Sequence, residues 1–156
     1  FGLTGQSERV FEMTKECIHP RHAFDPRKHP NTKVFPKGAP WSPVVRVKRG
    51  NLVFLTGITG RDVQTGNLVG EGDIVVQTKK VMENLKAIME DIGASLNDVV
   101  ATTWYVTDID KFYDSGATGV RNEFFKKDFP TATLVQVQRL AHPKVLVELT
   151  ATAVVE

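Results

Sequence analysis

DIVVQTKKVMENLKAIMEDIG, residues 73–93, is the stretch on which the fold turns. Ile74, Thr78, Val81, Met82, Leu85, Ile88, Met89 and Ile92 recur at helical spacing, which predicts an amphipathic α-helix with one buried face. Asp73 is placed to cap its N-terminus, and Gly93 supplies the C-terminal stop. Downstream, VVATTWYV (99–106) is rich in β-branched and aromatic residues and reads as a strand. Residues 108–127 read as a second helix, interrupted by Gly116 and Gly119. TATLVQV (131–137) and VLVELTATAVV (145–155) read as closing strands. Upstream, TGRDVQTGNLVGEG (59–72) is a glycine-rich loop, and VVRVKRG followed by NLVFLTG (44–57) reads as a hairpin turning at Arg49 to Asn51.

The resulting order is β-β-α-β-α-β-β. Two strand–helix–strand crossovers of the same hand put both helices on one face of a single mixed sheet, which makes the fold α+β. In the last strand Val145, Val147, Leu149, Ala151 and Ala153 form the side that meets the helices. Leu146, Glu148, Thr150, Thr152 and Val154 form the other side, which no helix of the same chain covers. A small-residue, semi-polar face of that kind is expected to meet other copies of the chain.

Bulk properties narrow the function. The chain has 156 residues with 41% hydrophobic content, enough for one core. Its 20 basic and 18 acidic side chains are too balanced to favour nucleic acid, and no apolar run approaches the length of a bilayer span. Cys17 is the single cysteine, so no internal disulfide forms and a cytoplasmic location is expected. The chain opens on Phe1 and not on methionine, so its start is expected to lie further upstream. Six prolines (Pro20, Pro26, Pro30, Pro36, Pro40 and Pro43) crowd the segment up to residue 43, whose hydrophobic periodicity is poor. Residues 1–38 therefore read as an arm, with a short helix expected around Ser7 to Cys17.

Most motif-like clusters have plainer explanations. Cys17, His19, His22 and His29 do not follow the spacing of a structural zinc site. GNLVGEGD precedes a helix, but Val75 stands where G-x-G-x-x-G needs its third glycine, so Gly70 and Gly72 are expected to serve backbone freedom alone. Glu148 is different. A carboxylate inside an apolar strand needs a partner or a task, so either an ion pair or catalysis would explain it.

PWSPVVRV, LVFLTG, the long run from Thr59 to Ile109, NEFF, FPTATLVQV and LVELTATA together resemble the RidA-like (YjgF-like) reactive intermediate deaminases across residues 39–156. The resemblance implies a chorismate-mutase-like fold, a homotrimer with clefts between subunits, a small-molecule substrate, and hydrolysis of imines or enamines without metal or cofactor. On matched positions it implies that Trp41 walls the cleft, that Thr56 and Gly57 replace a Ser-Gly pair, and that Glu148 positions the water. Thr118 stands where deaminating members carry asparagine. The signature P-A-R-S reads here Pro130-Thr131-Ala132-Thr133, so the arginine that would clamp a carboxylate is Ala132, and Leu134 replaces a small or thiol side chain.

That departure implies either a replacement cation, with Arg61, Arg121 and His142 as candidates, or a less anionic or larger substrate than 2-aminoacrylate. The leading expectation is a hydrolase or deaminase acting on a labile C–N bond. The alternative is a trimeric binding or regulatory protein that kept the fold without the chemistry. A third, ribonuclease activity, is a label in that family to which the charge balance lends little support.

Overall fold

The computed structural model describes residues 15–18, 20, 21, 23 and 41–156. The strands are β1 (Lys15–Ile18), β2 (Val44–Val47), β3 (Asn51–Phe54), β4 (Ile58–Thr59), β5 (Val99–Val106), β6 (Thr131–Gln136) and β7 (Val147–Val155). The helices are α1 (Ile74–Asp91), α2 (Ile109–Asp114) and α3 (Ala117–Phe124), with a single 3-10 turn at Leu96–Asp98. A mixed sheet runs β3-β7-β5-β6, with β4 also on β7. β5 and β6 are parallel, and the other ladders of this sheet are antiparallel.

α1 matches its sequence signal closely. The Asp73 carboxylate accepts from Val75 N at 2.9 Å and Val76 N at 3.1 Å, satisfying donors that have no partner inside the helix. Ile74, Val81, Met82, Leu85 and Met89 are buried against the sheet, packing on Trp104, Val147, Leu149, Ala151 and Ala153 in one core. Ile92 departs from the expectation: it caps the helix and is exposed.

Three other expectations need correction. The second helix is two, because Gly116 sits at φ +85, a left-handed conformation that cannot continue a right-handed helix. The hairpin of residues 44–57 does not pair with itself: β2 is laddered to β1 and β3 to β7, so the turn carrying Gly50 at φ +109 hands the chain between two sheets. The helix expected around Ser7 to Cys17 is overturned where it can be followed, since Lys15–Ile18 is extended and pairs with β2. The remainder of that helix, with His19, His22 and His29, lies outside the described residues. Lys15 also donates from Nζ to Val99 O at 2.7 Å, which ties β1 to the main sheet.

The two faces of the sheet differ as the alternation predicts from Val147 to Ala153, but two residues expected on the uncovered side depart: Val154 is buried, and Leu146 packs against the core. Val147, Leu149, Ala151 and Ala153 are buried under the helices. Glu148, Thr150 and Thr152 point the other way, where they are joined by Tyr105, Thr103 and Ala101, their registered neighbours on β5. Phe54, registered with Thr152, continues this open face and is 76% exposed.

Candidate functional site

Glu148 lies on the open face, opposite Thr59 and Tyr105 in the two flanking ladders. Its carboxylate folds back over the loop between β3 and β4, where a methyl group added at Gly57 would fall 2.0 Å from Glu148 Oε1. Thr56 is exposed beside it. Among the described residues Glu148 forms no ion pair, so of the two explanations for a carboxylate here, the structural salt bridge is not made by them.

The remaining predicted residues gather elsewhere. Ser42 N donates to Pro130 O at 2.9 Å, holding half-buried Trp41 beside the start of β6. On β6, Ala132 and Leu134 are registered with Thr102 and Trp104, whose side chains are buried on the helix-covered side. In a parallel ladder registered residues share a face, so Ala132 and Leu134 look towards the helices, and Leu134 packs against the core. Thr118 and Arg121 are buried on α3, which helps cover that side. The candidates thus form two groups: Glu148, Thr56 and Gly57 on the open face, and Trp41, Ala132, Leu134, Thr118 and Arg121 around β6 and α3.

Of the candidate cations, two are satisfied locally. Arg61 donates to Gly66 O at 2.7 Å, and His142 Nδ1 accepts from Lys144 N at 3.2 Å. Arg121 is not: it is 4% exposed, its Nε has no hydrogen-bond partner, and its guanidinium stands 5.3 Å from the centroid of the Trp104 ring. Burial depresses its pKa to about 10, offset slightly by Tyr113.

Sequence reading missed two polar residues that set the geometry around Glu148. Buried Gln77 donates to Gly70 O at 3.0 Å and Lys144 O at 2.9 Å, and accepts from Leu146 N at 2.9 Å. This fixes the entry to β7 just ahead of Glu148. Asn84 donates to Thr59 O at 2.9 Å and Arg61 O at 2.8 Å, pinning β4. Both lie among apolar α1 positions, and a polar residue at such a position is the signal that could have found them. Among the described residues no group of three or more His, Cys, Asp or Glu could hold a metal, and no helix is long and apolar enough to cross a membrane.

Comparison with known proteins adds to this geometry. A family profile described as Endoribonuclease L-PSP matches residues 32–155. A RutC family protein of Pyrococcus abyssi is 44% identical over 115 residues, 73% of this chain and 85% of that one. A 2-iminobutanoate/2-iminopropanoate deaminase of Dermatophagoides farinae is 32% identical, covering 85% of this chain and all 100% of its own. The crystal structure of YyfB, a Rid family protein from Yersinia pestis, superposes with a TM-score of 0.77 at 25% identity, over 92% of this chain and 100% of that one. With the mixed sheet, the helices on one face and these matches in agreement, the chain belongs to the RidA-like (YjgF/RutC) family.

Proposed function

We propose that the protein hydrolyses an imine or enamine of a small molecule, in a cleft where the open face of one copy meets the β6–α3 region of another. The observation that carries this reading is Glu148, a carboxylate without an ion-pair partner among the described residues, lodged against Gly57 on a sheet face that no helix covers. A kinship with a 2-iminobutanoate/2-iminopropanoate deaminase supports the reaction type.

In this reading the enamine first tautomerises to the imine. Glu148 accepts a hydrogen bond from a water and directs its oxygen at the imine carbon, taking a proton as the C–O bond forms. The tetrahedral carbinolamine then collapses, its C–N bond breaking as the nitrogen is protonated and leaves as ammonia, with a carbonyl remaining. One water is consumed and no electron is transferred, so the step calls for no redox cofactor. Because Glu148 and Ala132 lie on opposite faces of the sheet, one chain alone cannot bring both groups to one ligand, and a homotrimer of the kind the resemblance implies would.

The test is ammonia release from 2-imino acids and neutral imines by the native protein and by Glu148→Gln, which keeps the shape and removes the base. A loss of about 100-fold or more with an unchanged melting temperature is expected. Equal release by both proteins would remove Glu148 from the chemistry. No release from any imine, together with specific ligand binding, would favour the non-catalytic alternative, to which the alanine at position 132 already lends weight.

A further inference from the structure

A guanidinium is charged at any physiological pH and carries five donors, so burying it without an anion is costly unless something meets it. Arg121 is 4% exposed, and among the described residues no carboxylate pairs with it and no acceptor reaches Nε. Its stacking on Trp104 at 5.3 Å recovers only part of the loss of hydration. A methionine would fill similar space at α3 without that penalty. The arrangement makes sense if an anion completes it.

The surroundings indicate which anion. Trp104, under the guanidinium, is registered with Leu134 on β6, two positions beyond Ala132 on the same face. Ala132 offers only a methyl group on that face, and β6 is the edge strand of the sheet among the described residues. Thr118, one turn earlier on α3, carries a hydroxyl whose hydrogen bond to Phe112 O is long at 3.5 Å and easily exchanged. A single planar fork with a hydroxyl nearby fits a carboxylate better than a phosphate.

We propose that Arg121 is the anion-binding residue of this protein and takes the carboxylate of a small imino or oxo acid, so that the cation reaches the ligand from α3 and not from β6. The imino acid as reactant rests on the hydrolytic reading above; the carboxylate site does not. Ala132 then marks a cation that has changed its element, and the substrate remains anionic.

The test is calorimetric titration of the native protein, Arg121→Met and Arg121→Lys with 2-oxobutanoate, the product of hydrolysing 2-iminobutanoate, and with its uncharged amide. Ammonia release and light scattering are measured on the same samples. The native protein should prefer the acid to the amide by at least about tenfold; Arg121→Met should lose that preference, and Arg121→Lys should keep part of it. Arg121→Met binding the acid as tightly as the native protein, or a native protein that does not bind the acid, overturns the proposal. So does a mass falling to that of one chain in Arg121→Met, which would assign the cation to an acid of a neighbouring copy. If Arg121→Met does not fold, Arg121→Lys carries the comparison, and affinity equal to the native protein's overturns the assignment. Arg121-dependent acid binding without ammonia release would sink the hydrolytic reading and leave this one standing. Release that needs Glu148 and ignores Arg121 would do the reverse.

Discussion

At Gly57, the position that a methyl group would fill lies 2.0 Å from Glu148 Oε1, and the obstacle is the far end of a flexible side chain. Gly57→Ala should therefore leave the fold standing, with a change in unfolding free energy within about 1 kcal/mol, while swinging the carboxylate away and lowering ammonia release by at least about tenfold. Retained turnover would show that the position of Glu148 is not critical. Gln77 is the opposite case. Replacing it with leucine strands Lys144 O and Leu146 N and takes one of two donors from Gly70 O, which keeps Asp73 N, an expected loss of about 2 to 4 kcal/mol read from urea midpoints. Arg121 carries a signed prediction. Burial lowers its pKa from the ordinary arginine range to about 10, which corresponds to about 3 kcal/mol against the charged form. Because the folded state holds this proton less tightly, the penalty is complete below about pH 10 and fades as pH rises from there towards the ordinary arginine range. Arg121→Met should accordingly be more stable than the native protein at neutral pH, with the gap closing in strong alkali. A less stable variant at pH 7 would mean that the cation has a partner in the assembled protein.

Two glycines in the segment following β5 should respond with opposite signs. Gly116 holds φ +85 at the break between α2 and α3, so alanine there is strained despite open space and should cost about 1 kcal/mol. Gly119 lies inside α3 with nothing near its added methyl, so alanine should stabilise by roughly 0.5 to 1 kcal/mol. Denaturation of the two variants side by side decides whether the break belongs to Gly116 alone. The same segment marks a limit of sequence reading. α1 was legible because its period, its cap and its stop agree, whereas in residues 108–127 two glycines weaken one pattern without saying which of them reverses the backbone. Strand partners were less legible still. A turn at Arg49–Asn51 suits a hairpin locally, but the partners of β2 and β3 are set by strands distant in the chain. Glu148 stood out in the sequence as a charge among apolar neighbours. That Ala132 faces the other way follows from the register of Thr102 with Ala132, which no local pattern carries. The burial of Arg121 against Trp104 is hidden for the same reason.

For the whole molecule, the open face is the feature with the widest reach. Phe54 is 76% exposed and Leu52 58% exposed on the same side as Thr152, an apolar area that an isolated copy would leave in water. Light scattering should give three times the 17.3 kDa chain mass, and Phe54→Asp should lower it if that surface is the contact. A single-chain mass for the native protein would end the composite-cleft reading. The division of the candidate residues between two faces also bears on inheritance and on mixtures. Each copy would lend its Glu148 face to one cleft and its Arg121 face to another, so a defect in one copy spoils only half of what that copy touches. Glu148→Gln and Arg121→Met, each inactive alone, would then complement one another when unfolded together and reassembled. About a quarter of the clefts in an even, random mixture would join two intact halves. Two faulty alleles in one cell could support a function that neither supports by itself.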